Sequence, residues 1–244
     1  MKMTNQFQDQ LFATDSAPQD FVFDDRVAAV FDDMVNRSIP GYATILGMIG
    51  VIAERYFQPG TDIYDLGCSL GGASIAMAQQ LAGQKFTLKA VDNSQAMIRG
   101  LHQRLSTEQY DNIQCHCADI LDIGVENASV VVLNFTMQFI APEKRQQLLD
   151  RIHAGLRPGG ILVVSEKILM PDPELNELLT DLYHNFKQRM GYSELEISRK
   201  RTALENVLIP ETLQTHRQRF ARSGFREADV WFQCFNFASM TIFK

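Results

Sequence analysis

One stretch, Asp65-Leu66-Gly67-Cys68-Ser69-Leu70-Gly71-Gly72, joins a short apolar segment to a helical one. Glycines at such a junction let the backbone approach a ligand closely, and the N-terminus of the following helix favours negative charge. The spacing is not the G-x-G-x-x-G of dinucleotide loops. It is an acid two residues before a glycine, then Gly67-x-x-x-Gly71. Taken alone, the stretch also reads as a plain tight turn packing a helix on a strand. Three further polar residues close apolar runs. Asp92, in Val91-Asp92-Asn93-Ser94, lies 25 residues after Gly67. A carboxylate there can accept both hydroxyls of a ribose, or it caps the helix that begins near Ser94. Asp119, followed by Ile120, is a second such acid, with a turn aspartate as its other reading, and Asn134 is the third residue of the set. Acids or amides at three successive strand ends exceed what turn statistics supply, and open α/β sheets bind ligands outside those ends.

Arg201 is a different kind of candidate. At about 100° per residue, a helix over 194–208 places Ile197, Leu204 and Leu208 on one stripe with Arg201 in its middle, while Arg199 and Lys200 point elsewhere. A guanidinium on an apolar face is costly without an anion. It either awaits a ligand carboxylate, for which it is suited by its bidentate fork, or it snorkels or pairs with a structural acid. His184 and His216 are expected at solvated helical positions. Cys115-His116-Cys117 has a metal-like look. On a strand, however, the two thiols share a face and the imidazole points away, and no second ligand pair stands at zinc spacing. Buried free thiols and no metal are the expectation.

These residues need a frame. Helical periodicity covers Asp24–Arg37 and Tyr42–Phe57, with Ser38-Ile39-Pro40-Gly41 between them and Pro59-Gly60 after. Strand and helix then alternate. Strands are predicted at Ile63–Leu66, Phe86–Val91, Ile113–Cys117, Val130–Leu133 and Ile161–Ser165, and helices at Gly71–Ala82, Ser94–Leu105 and Pro142–Leu156. That rhythm implies a doubly wound, mostly parallel α/β sheet with right-handed crossovers. Residues 172–208 interrupt it with two helical stretches, Glu174–Met190 and Glu194–Leu208, the second opened by the capping box Ser193-x-x-Glu196. A helix over Glu211–Ala221 and an antiparallel pair within Glu227–Phe243 complete one domain, 1–244. Its additions are an irregular start (1–23), N-terminal helices (24–57) and the insertion.

The 244 residues carry a net charge of −6, which disfavours a nucleic-acid partner held by its phosphates. The stretch 181–226, with nine Lys/Arg against five Asp/Glu, runs positive. No apolar run is long enough to span a bilayer, and Met1–Asp20 lacks the features of a signal peptide. Cytoplasmic location without membrane contact is therefore expected, and four cysteines are too few for a disulfide framework.

The loop around Gly67 resembles that of class I S-adenosylmethionine-dependent methyltransferases, with Ser69 where the usual middle glycine stands. Five strings make the resemblance specific: Ile39-Pro40-Gly41-Tyr42, Tyr64 to Gly71, Val132 to Thr136, Gly191 to Ser198, and Trp231 to Phe237. From about Phe23 to Phe243 the chain resembles the carboxy-S-adenosyl-L-methionine synthase family. The resemblance implies a Rossmann-like, seven-stranded sheet. It implies conversion of S-adenosyl-L-methionine and prephenate to carboxy-S-adenosyl-L-methionine and phenylpyruvate, in a homodimer. A separate tRNA carboxymethyltransferase would then pass the group to a wobble uridine. Carried over residue by residue, Tyr42, Gly67, Cys68, Ser69, Asp92, Asn93, Asp119, Ile120, Asn134 and Arg201 line the cofactor, with Arg201 on the added carboxylate. Tyr42, a polar group near the sulfonium in this reading, is otherwise a core tyrosine at a helix start. Two alternatives stay open at this point: an ordinary small-molecule methyltransferase, and a cofactor-binding protein without turnover.

Overall fold

The computed structural model describes residues 8–13, 20–108 and 110–244. Two helices, α1 (Asp25–Ser38) and α2 (Tyr42–Tyr56), precede the alternating part. That part runs β1 (Asp62–Leu66), α3 (Gly72–Gln80), β2 (Thr87–Asp92), α4 (Gln95–Glu108), β3 (Ile113–Cys117), β4 (Ala128–Asn134), a 3-10 turn (Met137–Phe139), α5 (Pro142–Gly155) and β5 (Leu156–Leu169). The insertion supplies α6 (Pro173–Arg189) and α7 (Glu194–Leu204). Then come β6 (Glu211–Thr212), α8 (Leu213–Arg222), β7 (Glu227–Cys234) and β8 (Phe237–Phe243).

The strands lie in the order β3-β2-β1-β4-β5-β8-β7. The first five are parallel, and β8 runs antiparallel between β5 and β7. Strand order reverses between β1 and β4, so their carboxyl ends diverge and leave a crevice for a ligand. β4 and the middle of β5 are buried on both faces, which is why each reads as an unbroken apolar run. One apolar layer unites the sheet with α2, α3 and α4, and a second unites it with α5 and α8. A smaller cluster ties α1 to Leu70, Met97 and Ala203 of α7, so the N-terminal addition and the insertion meet over the end of the sheet.

Several boundaries differ from the sequence reading. Glu211–Thr212 pairs with Ile168 and Leu169 as an additional short strand, because Thr212 caps α8 by accepting from Thr215 N and cannot itself be helical. α7 stops at Leu204, and 205–207 form turns rather than a last helical turn. The capping box at Ser193 and Glu196 forms in full. Of the four free cysteines only Cys68 is buried; Cys117 is exposed and Cys115 and Cys234 lie between. His216 is not solvated. It is 1% exposed, its ring stacks near Phe220, and neither ring nitrogen has a hydrogen-bond partner among the described residues. His184 is half-buried. The expectation for the first twenty residues falls partly on 1–7 and 14–19, outside the described set. Asp9, however, is buried, and its carboxylate accepts from Tyr192 Oη at 2.5 Å. No helix is long and apolar enough to cross a membrane among the described residues.

Candidate active site

A cavity of about 510 Å³ opens over the ends of β1 and β4, and all ten candidate residues line it. The sheet brings five of them, and Asp65 besides, together for a simple reason: parallel strands end on the same side. Asp65, Asp92 and Asn134 close β1, β2 and β4 or stand one residue from their ends, while Gly67, Asn93 and Asp119 begin the loops that follow.

The loop after β1 is held tightly. Gly67 N and Cys68 N both donate to Val91 O, at 2.7 and 3.0 Å. Gly67 has φ +81°, and a Cβ there would stand 2.3 Å from Thr136 Cγ2, so a side chain would push the two loops apart. Ser69, in place of a glycine, still adopts a left-handed φ of 48°. Its N–H donates to Asp92 Oδ2 at 2.9 Å, and Ser94 N donates to Asp92 Oδ1 at 2.9 Å. The cap of α4 is Ser94, whose Oγ accepts from Met97 N at 3.2 Å; Asp92 braces the turn before it and faces the cavity. Burial raises its pKa. Asp119 likewise accepts from Leu121 N at 2.9 Å while lying at the cavity edge.

Two acceptors in the cavity wall have no internal partner. Asp65 Oδ2 accepts from Ser74 Oγ at 2.6 Å, but Asp65 Oδ1 and Asn134 Oδ1 are buried without one. Burial pushes the Asp65 carboxyl up to about 6. Orphaned buried acceptors signal a donor supplied from outside, and the ammonium and hydroxyl groups of S-adenosylmethionine are donors of that kind, so the wall fits this molecule. Asp65 entered the sequence reading only as part of the loop spacing, although its place before a strand-end glycine was the available signal.

Tyr42 is the first residue of α2, and its hydroxyl lies beside the start of α3: a Cβ on Gly72 would stand 3.4 Å from it. Burial pushes the phenol pKa up. The hydroxyl therefore keeps its proton and is available as a hydrogen-bond donor. Cys68 is likewise kept as a thiol by burial.

The opposite wall comes from β5 and the insertion. Ile197, Arg201 and Leu204 of α7 face the cavity as the helical wheel requires, but so does Lys200, and Leu208 reaches it from beyond the end of the helix. The burial on α7 is nevertheless different from expectation. Arg201 is exposed and has no hydrogen-bond or ion-pair partner among the described residues. Lys200, expected to point elsewhere, is 5% exposed and lies 3.5 Å from Asp9 Oδ2, with Ser38 Oγ at 3.1 Å. The wheel fixes angles about the helix axis, but the N-terminal segment that covers Lys200 comes from far away in the chain. Lys167, Lys187 and Tyr183 complete this wall, none of them singled out from sequence. Beneath it, buried Glu166 accepts from Met137 N and Gln138 N, each at 2.9 Å, and holds the turn after β4; burial pushes its carboxyl up to about 8. The cavity therefore has an acidic side at the strand ends and a basic side at the insertion.

Comparison with known proteins agrees with this geometry. Residues 63–160 match the model of a methyltransferase domain family. The carboxy-S-adenosyl-L-methionine synthase of Vibrio cholerae is 55% identical over 226 residues, covering 92% of each chain. That of Geobacter sp. strain M21 is 53% identical over 92% of this chain and 93% of its own. Among solved structures, human N-acetylserotonin methyltransferase in complex with SAM aligns with a TM-score of 0.59 and 17% identity, over 90% of this chain and 55% of that one. A Methanococcus maripaludis protein described as an S-adenosyl-L-methionine-dependent methyltransferase aligns with a TM-score of 0.61 and 20% identity, over 94% and 97%. These structural likenesses establish the class I methyltransferase fold.

Proposed function

The chain belongs to the carboxy-S-adenosyl-L-methionine synthase family, and we propose that it converts S-adenosyl-L-methionine and prephenate to carboxy-S-adenosyl-L-methionine and phenylpyruvate. The observation that carries this reading is the divided charge of the cavity. A sulfonium with an ammonium group suits Asp65, Asp92 and Asn134, whereas a dianionic partner suits the wall of Lys167, Lys187 and Arg201. An ordinary methyl acceptor would give no reason for that second wall.

In the proposed reaction, prephenate loses its ring hydroxyl as hydroxide and its ring carboxylate as CO2, and the ring becomes aromatic. The hydroxide takes a proton from the sulfonium methyl and leaves as water. The methyl carbon bonds to CO2, and phenylpyruvate is the other product. No side chain needs to be the base. The chain holds two reactants together and keeps CO2 from escaping, a task suited to the aromatic rim of Phe23, Phe135 and Phe139. Asp92 takes the ribose, Asp119 and Ile120 the adenine, and Asp65 with Asn134 the donor groups of the methionine part. Arg201 takes the new carboxylate and Tyr42 donates beside the reacting carbon. The protein requires no metal in this scheme.

The product serves a tRNA carboxymethyltransferase in the cytoplasm, and the net charge of −6 suits a protein that does not itself hold RNA. The enzyme acts as a homodimer of single-domain subunits. Support for the interface is the stripe of Leu175, Leu178 and Leu182 on α6, which are 43, 54 and 39% exposed. Mass spectrometry of a reaction of the purified protein with prephenate and S-adenosyl-L-methionine tests the function: a product heavier than the cofactor by one CO2 is expected. Formation of S-adenosylhomocysteine with a small acceptor instead, and no such product, would overturn it.

A further inference from the structure

Two lysines in the cavity wall have no ion-pair partner among the described residues. Lys187, on α6, is 4% exposed, and Lys167, on β5, is half-buried. Both line the cavity, and neither ammonium has a hydrogen-bond acceptor or ion-pair partner among the described residues. Both stand over the same aromatic ring, Tyr183, whose centroid lies 5.3 Å from Lys167 Nζ and 5.6 Å from Lys187 Nζ, and Lys187 also stands 5.3 Å from the centroid of Tyr192. Lys200 differs from them, since it already has Asp9 and Ser38. Burial drives the Lys187 pKa down to about 7, with Lys200 and Lys167 adding repulsion, and Lys167 is lowered by burial and by Arg201. Uncompensated cations grouped this way destabilise the free protein, and an anion placed among them removes the penalty. Asp9 and Glu196 attract Lys187 from a distance without pairing with it, and Asp9 is already engaged by Tyr192 and Lys200. Asp65 and Asp92 sit on the other side of the cavity with hydroxyl or backbone donors of their own.

We propose that Lys167 and Lys187, beside Tyr183, form a binding site for the carboxylate that the second substrate keeps, the one still present in the 2-oxo acid product. This rests on the prephenate reading. In that reading the other carboxylate is transferred and ends at Arg201, so a dicarboxylate needs a second, separate cationic site. Lys167 and Lys187 are the lining lysines of this wall that remain unpaired. The pair would select for dicarboxylates and fix the ring carboxylate toward the sulfonium. It would also hold the 2-oxo acid in place during the transfer, because the retained carboxylate stays anchored.

The test is steady-state kinetics on the full-length protein with Lys167→Met and Lys187→Met, each alongside its arginine counterpart. The expected result is a rise in KM for prephenate of about 10- to 100-fold in each methionine variant, the loss of one charge-assisted hydrogen bond. KM for S-adenosyl-L-methionine should stay within about two-fold, and arginine should restore most of the loss. Unchanged KM for prephenate in both methionine variants overturns the site while leaving the prephenate reaction intact. Absence of any carboxylated product from the unaltered protein overturns the reaction itself, and the site with it. Should a methionine variant fail to fold, calorimetric titration of the unaltered protein with phenylpyruvate and with its methyl ester decides instead. Equal affinity for the acid and the ester refutes the site, and tighter binding of the acid supports it.

Discussion

Arg201→Ala separates a ligand-binding arginine from a structural one. In the free protein the guanidinium is exposed and unpaired among the described residues, and its recorded influence is to push down the pKa values of Lys167 and His184. Removing it orphans no partner, so the melting free energy should move by less than about 0.5 kcal/mol. The cost of truncating a buried ion pair, about 3–5 kcal/mol, does not apply. What is lost is a charge-assisted contact to a ligand carboxylate, worth about 1.5–3 kcal/mol, and solvent access places it in the lower half of that range. Carboxy-S-adenosyl-L-methionine should therefore bind about 10- to 30-fold more weakly. S-adenosyl-L-methionine, which lacks the added carboxylate but shares the amino-acid one, should change by less than about two-fold. Calorimetric titration of both ligands against both proteins reads the ratio directly. Equal losses for the two would refute the assignment, because an arginine on the shared carboxylate, or one that shapes the pocket, weakens both alike.

Further outcomes follow from the same geometry. Burial pushes the Asp65 carboxyl up to about 6 from its ordinary 3.8. Its folded form holds a proton that the unfolded chain gives up, so stability is full below the lower value and is lost as pH rises through the upper one. Asp65→Asn should then raise the melting temperature of the ligand-free protein at neutral pH, by up to about 3 kcal/mol in free energy, while S-adenosyl-L-methionine binding falls. An unchanged affinity in titration would show that Asp65 does not take the cofactor's ammonium. Gly67→Ala should cost about 1–2 kcal/mol from its left-handed φ alone and more from the clash with Thr136. Adding Thr136→Gly should recover the clash but not the strain, as read by thermal melts of the two variants. His216 is buried, with its pKa held down by desolvation to about 4 from 6.5. Below the higher value the unfolded chain takes up a proton that the folded one refuses, so stability falls as pH drops from about 6.5 to about 4, by about 3 kcal/mol. Denaturant titrations of His216→Leu should show a flatter profile across that window.

Much of the frame was legible because it rests on local chemistry. Apolar runs, glycines after strands and right-handed crossovers suffice to send β1, β2, β3 and β4 to one edge with their carboxyl ends together. Asp92, Asp119 and Asn134 needed only their sequence positions to be placed at one crevice. Arg201 was placed on the right helix face for the same reason, since the angular spacing of residues 197, 201 and 204 is a property of the helix alone.

What a helical wheel lacks is the identity of whatever lies opposite. Lys200 is buried because Asp9, almost two hundred residues earlier, folds over it, and Arg201 is exposed because its face borders an open cavity rather than a core. Lys167 and Lys187 became neighbours only when β5 and α6 closed on Tyr183. Glu166 gained meaning from backbone donors on another loop. Spacing within one element determined which residues could face a ligand. Long-range packing decided which charges met partners and which were left waiting for one, because desolvation and Coulomb energy depend on what surrounds a group, not on its place in the chain.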